Sequence, residues 1–298
     1  MTWKGKIMSN PGRPEIFVAG FGTGADLVRR LAVSRDGIAG DVIYTDRRSC
    51  VISIDDGQSV DMRAPCCVKG LFELLGSAAV VFMISDCKEC IRTSRLATRI
   101  AEESGVAVMV FMIEDEDGQL EMPDDLGLHN CDHEWICERS SVVVVDVPSD
   151  LDDELRLAKM IVCISKMLLE PSTINLDLAD LRTVMRCGTE ACIISGTGRS
   201  PELALQDALD KSLSLMAPSR VRGCLLHITG GLNLTLRDAN LIAESMTGAL
   251  DQHANIIWGM RVRDELDVIE ITAVLTGKNI KLQSSRRSSE KRACSWRV

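Results

Sequence analysis

Two carboxylates and an amide stand close together at Asn175, Asp177 and Asp180, in the run INLDLADLRTVM from Ile174 to Met185. Carboxylates three residues apart, where a loop enters a helix, can orient and polarise an attacking water. They can equally serve the helix itself, with Asp177 as its N-cap and Asp180 near the positive end of its dipole. One residue could do both. A second candidate is FVAGFGTG from Phe17 to Gly24, which closes an apolar strand and opens a helix. Gly20, Gly22, Thr23 and Gly24 would let a phosphate approach backbone N–H groups at a helix N-terminus. Asp46 closes the next strand, about where a dinucleotide fold places its ribose-binding acid. This pattern fits dinucleotide binding, mononucleotide binding or a plain tight turn. A third candidate is Cys87-x-x-Cys90, whose spacing suits metal or redox chemistry. Cys131, His133 and Cys137 could complete a zinc or iron–sulfur site.

The elements that must position these residues follow from the hydrophobic pattern. Apolar strands are expected from Ile16 to Gly20, Val42 to Tyr44, Val51 to Ile54, Ala78 to Ile84, Val106 to Ile113 and Val142 to Val147. Helices are expected between them, from Leu27 to Leu31, Leu71 to Leu75 and Thr93 to Glu103. Continuous apolar strands separated by helices predict a parallel, doubly wound sheet covered on both faces. A long helix with a broad apolar face follows from Asp150 to Leu169, started by Pro148 and stopped by Pro171. Beyond it a smaller α+β unit is expected. Its helices run from Pro201 to Leu215 and Leu236 to Leu250. Its strands run up to Ser195, from Gly223 to Thr229, Asn255 to Met260 and Val268 to Leu275. The expected organisation is a flexible N-terminus over 1–13, a nucleotide-binding-type α/β domain over 14–149 and a central helix over 150–170. A C-terminal α+β domain over 171–280 and a basic tail over 281–298 complete it.

Composition narrows the function classes. The chain has 298 residues, 46% of them hydrophobic, and a mean hydropathy of +0.09. That is ample for a sizeable core. Its longest apolar runs are strand-sized, well short of the ~20 residues of a membrane span. The polar N-terminus lacks a signal peptide's apolar stretch, so a cytoplasmic protein is expected. Net charge is −9, from 34 basic and 43 acidic residues. An acidic body argues against general nucleic-acid binding. From Lys278 to Val298 the balance reverses, with seven basic residues against one acid. That segment could meet a membrane, an acidic protein or solvent alone. Twelve cysteines without a secretory signal imply reduced thiols, with Cys163 and Cys224 expected in the core.

The second half resembles FtsZ, the prokaryotic tubulin relative. The likeness runs through Asn175 to Met185, Gly196 to Arg199, Arg222 to Leu236 and Ala273 to Gly277, about a hundred residues in order. It implies a tubulin/FtsZ-like fold: a Rossmann-type parallel-sheet domain, a long central helix and a smaller α+β domain. It also implies that Gly20 to Gly24 is the first phosphate loop and that Asn175, Asp177 and Asp180 form the synergy loop. In that family the loop acts in trans, on the GTP of the next subunit in a head-to-tail filament.

The acceptor half departs from the family. Where the family has a glycine-threonine-rich loop after the fourth strand, this chain has SDCKECIR from Ser85 to Arg92, with no glycine. Side chains there crowd the phosphate approach, and Asp86 and Glu89 would repel it. The family's guanine-reading Asp falls on Leu155, which cannot accept hydrogen bonds. The resemblance and its departures together imply a divergent cell-division or cytoskeletal protein that binds GTP weakly or not at all. Such a protein would dock its synergy-loop face on an FtsZ subunit or on its own kind. The alternatives are a self-assembling GTPase with a rebuilt phosphate loop and a metal- or thiol-based regulator on the same scaffold. NAD-dependent chemistry is disfavoured, because the second half offers no substrate-domain signature.

Overall fold

The computed structural model describes residues 15–33, 40–45, 48–54, 71–86, 89–113, 142–147, 153–213, 217–278 and 280. Ten strands form one sheet in the order β2-β3-β1-β4-β5-β6-β7-β10-β8-β9. The first six are β1 (Ile16–Phe21), β2 (Gly40–Thr45), β3 (Ser49–Ile54), β4 (Val80–Asp86), β5 (Ala107–Ile113) and β6 (Val142–Val147). The last four are β7 (Glu190–Gly198), β8 (Val221–Gly230), β9 (Asn255–Val262) and β10 (Ile269–Gly277). The helices are α1 (Thr23–Val33), α2 (Leu71–Leu75), α3 (Cys90–Ser104), α4 (Asp153–Leu169), α5 (Leu178–Met185), α6 (Pro201–Leu213) and α7 (Leu236–Ala249). This is the mixed α/β architecture expected, with α4 as the long central helix.

Alternation along the strands builds the layers. In β1, Ile16 and Val18 face a core shared with α1, α4 and α5. Phe17, Ala19 and Phe21 face the opposite core, under α2 and α3. The first core continues across both halves of the sheet, from Val18 and Phe82 to Leu225 and Val274. In α4, Leu157, Ile161, Ile164 and Met167 repeat at three- and four-residue spacing and are all buried, which makes one stripe of the helix the seam of the molecule. On the other side, α6 and α7 cover β8 and β10 through Ala204, Ala208, Ile242 and Met246.

The expectation of a parallel sheet holds for β1, β4, β5 and β6 but not at the edge. There β3 runs antiparallel to both β1 and β2. The reason is the short link between Thr45 and Ser49, since a parallel crossover takes a dozen residues or more. The two halves of the sheet meet between β6 and β7, where the register holds one pair, Val144 with Glu190. Among the described residues no helix is long and apolar enough to cross a membrane.

Candidate functional site

The glycine turn after β1 is short. β1 ends at Phe21 and α1 begins at Thr23, so Gly22 alone makes the turn, with a left-handed φ of 60° that favours glycine. Gly20 and Gly24 serve packing. A Cβ on Gly20 would lie 2.2 Å from the Gly24 carbonyl oxygen, and one on Gly24 would lie 2.3 Å from that of Ile84. Both glycines therefore let α1 sit directly on β1 and β4.

Asp86 occupies the position in front of α1. It ends β4 and is 2% exposed. Its Oδ2 accepts hydrogen bonds from the Thr23 amide and the Thr23 hydroxyl, both at 2.9 Å. Its Oδ1 accepts from the Glu89 amide, also at 2.9 Å, just ahead of α3. One carboxylate thus satisfies donors at the start of two helices, the two places where a bound phosphate would sit. A Cβ on Gly22 would lie 2.5 Å from Asp86 Oδ2, so no group fits between the turn and this side chain. The sequence expectation was repulsion between Asp86 and a phosphate. The contact across 63 residues shows more than that, because the carboxylate takes the donors itself. Asp46 and Cys87 lie outside the described residues, while the Arg48 carbonyl accepts from the Gly22 amide at 3.0 Å, bringing the β2–β3 turn to the same mouth.

The residues of the synergy-type loop form a self-contained helix start. Asp177 Oδ1 accepts from the Asp180 amide and Asp180 Oδ2 accepts from the Asp177 amide, both at 2.9 Å. This is a reciprocal capping box on α5. Asn175 Oδ1 accepts from the Ser172 amide at 2.7 Å. Ile174 is bridged to Met260 of β9. Leu176 is buried above Gly259, where any Cβ would meet it at 2.7 Å. The loop is therefore pinned to the sheet on its apolar side. The Asp177 carboxylate keeps Oδ2 outside the box; Asp177 is exposed and Asp180 half-buried.

These two places cannot meet within one molecule. Two residues beyond Asp180, the Arg182 guanidinium donates to the Gly105 carbonyl oxygen at 2.5 Å. Gly105 stands at the N-terminal end of β5, whereas Asp86 pairs with Ile113 at its C-terminal end. A seven-residue strand spans roughly 23 Å, so the capping box and the Asp86 mouth lie at opposite ends of the strands. Any joint chemistry needs two molecules.

The metal expectation falls largely outside the described residues, which exclude Cys87, Cys131, His133 and Cys137. Cys90 opens α3. Among the described residues, no three His, Cys, Asp or Glu side chains come together as a metal site. Cys224 is fully buried, and burial pushes its thiol up to about 12. Cys163 is half-buried on α4, with its thiol raised by burial. Leu155 lies within α4.

Comparison with known proteins agrees with this architecture. The model of the FtsZ family, C-terminal domain, matches residues 184–279. Cell division protein FtsZ 2 of Haloferax volcanii is 30% identical over 228 residues, 69% of this chain and 56% of that protein. Cell division protein FtsZ of Methanothermobacter thermautotrophicus is 37% identical over 129 residues, 42% of this chain and 34% of that protein. The aligned part of this chain therefore spans between about a third and just over half of these relatives. Among solved structures, an FtsZ dimer from M. jannaschii, titled empty, superposes with a TM-score of 0.52 at 19% identity. It covers 69% of this chain and 65% of the other. That likeness concerns the fold. With the FtsZ-type C-terminal half, the central helix and the parallel sheet in one chain, the protein is a member of the tubulin/FtsZ superfamily.

Proposed function

We propose that this chain is a cytoplasmic cytoskeletal subunit that joins FtsZ-type filaments through its synergy-loop end while binding GTP weakly or not at all. The observation that carries the reading is Asp86, which already holds the amides at the starts of α1 and α3. A nucleotide phosphate would have to displace a buried carboxylate and meet its negative charge. The other end of the molecule supports the reading: Asp177 is exposed, Asp180 is half-buried, and the two cap each other beside a pinned loop. Set against a neighbour's nucleotide, they would orient and polarise a water, with Asn175 beside them. The relatives' names speak of cell division and one structure's title of a dimer, which supports a second subunit, FtsZ or self, as the partner. The functional units would be the nucleotide-type domain over 14–149, the central helix over 150–170 and the FtsZ-like domain over 171–280.

The test is GTP titration of the full chain by calorimetry, followed by co-sedimentation with a GTP-hydrolysing FtsZ. Weak or no GTP binding and co-pelleting are expected. Tight binding, with hydrolysis by the chain alone that rises with its concentration, would instead establish a self-assembling GTPase. The aspartates separate structure from chemistry. Asp177→Asn keeps the cap and should leave stability within ~0.5 kcal/mol, whereas Asp177→Ala should lose about 1 kcal/mol. Both should abolish any effect on the partner's GTP turnover. An Asp177→Asn chain that still alters turnover as the wild type does would leave the carboxylate with a capping role only.

A further inference from the structure

A basic cleft lies at the far end of α5 from the capping box. It has a volume of about 440 Å³ and is lined by Cys187, Arg220, Arg222 and Lys278. Glycines let three chain segments converge there. A Cβ on Gly188 would lie 2.2 Å from the Gly277 carbonyl oxygen, and one on Gly277 would lie 2.3 Å from that of Arg220. A Cβ on Gly223 would lie 2.8 Å from Cys187 Cβ. Backbone thus touches backbone between the end of α5, the start of β8 and the end of β10. The β8–β10 ladder slips at this point, pairing Thr276 with Gly223 and Gly277 with Val221. Arg222 is the residue passed over, and such a bulge re-aims the side chain it carries.

The local charges favour an anion. Three cationic side chains line a cleft in a chain whose net charge is −9. Arg222 pairs with Asp251 at 2.5 Å and reaches the Ser219 carbonyl oxygen at 3.5 Å. The adjoining Glu190 carboxylate is turned inward, accepting from the Ile280 amide at 2.9 Å. The Cys187 thiol donates to the Thr183 carbonyl oxygen at 3.3 Å, and burial raises its pKa. Two guanidiniums and an ammonium around a small concavity suit a phosphate group, which guanidinium grips through two parallel N–H donors.

We infer that this cleft binds a multiply charged phosphate group, independently of the GTP position at the other end of the strands. The ligand class is a small phosphate-bearing solute. A phospholipid headgroup offers the same chemistry, and the test distinguishes them.

The experiment uses the full chain and pyrophosphate. Calorimetric titration should show binding that Arg220→Ala and Arg222→Ala each weaken by roughly tenfold. Arg222→Lys, which keeps the charge but loses the fork, should fall between these and the wild type. Asp251→Asn removes the competing carboxylate and should tighten binding. A local readout separates the cleft from other basic segments: pyrophosphate should slow maleimide labelling of Cys187, followed by mass spectrometry of its peptide. Protection by pyrophosphate but not by phosphatidic-acid vesicles assigns a solute, and the reverse assigns a headgroup. Protection by neither, or affinity unchanged in both alanine variants, overturns the inference.

Discussion

An Asp86→Ala chain should be less stable by about 3 kcal/mol, because two helix-start amides and a hydroxyl lose a shared charged acceptor in a buried place. The same substitution should open a second phosphate response. Millimolar inorganic phosphate should raise the melting temperature of Asp86→Ala by more than that of the wild type, since an anion that binds only the folded state stabilises it by mass action. The physical argument is an exchange of ligands. Thr23 and Glu89 offer part-buried N–H donors at two helix starts, and in this chain a side chain from β4 accepts from both. Thermal melts in paired buffers read both effects. If phosphate stabilises both chains equally, the carboxylate is not standing where a phosphate would.

Acidification should unfold this protein early, and His227 should account for much of it. The residue lies on β8, 7% exposed, with Nδ1 3.3 Å from the Thr229 hydroxyl and Nε2 buried without a partner. Its register neighbours are Thr272 on β10 and Gly259 on β9. Burial lowers its pKa from 6.5 to about 4. The folded state therefore disfavours the charged ring, and the unfolded chain binds the proton first. The contribution to stability is complete above pH 6.5 and is lost as pH falls from 6.5 toward 4, amounting to about 3 kcal/mol at the acid end. His227→Leu should flatten the stability curve across that window by the same amount. Denaturant melts at pH 7, 5.5 and 4.5 would show it. Parallel curves for the two chains would remove His227 as the cause.

Most of the element order was legible from hydrophobic period alone, because strands buried on both faces read as unbroken apolar runs. β5 was expected from Val106 to Ile113 and spans Ala107–Ile113. α4 was expected from Asp150 to Leu169 and spans Asp153–Leu169. The antiparallel edge was missed, although the three residues between Thr45 and Ser49 are too few for a crossover. The glycine run left a phosphate loop and a plain tight turn both open. Helix α1 starts at Thr23 because Asp86, far along the chain, completes its first turn, and no local pattern announces a cap delivered from another strand. The capping box of α5 was readable, since Asp177 and Asp180 have the right spacing and precede an apolar stripe. The basic cleft was not readable. It depends on a one-residue slip in the β8–β10 ladder, and slips are set by packing between strands rather than by either strand alone.

The single rung between Val144 and Glu190 has a mechanical consequence. The two halves of the ten-stranded sheet share one ladder pair, so packing rather than backbone hydrogen bonding joins these plates, through α4 and the core that runs under both. Arg182 crosses between them to the Gly105 carbonyl oxygen, so α5 is a strut between the plates. Load applied at the Asp177 end would pass along this strut to the foot of β5. Under the proposed role, a neighbour docked at Asp177 would be felt there.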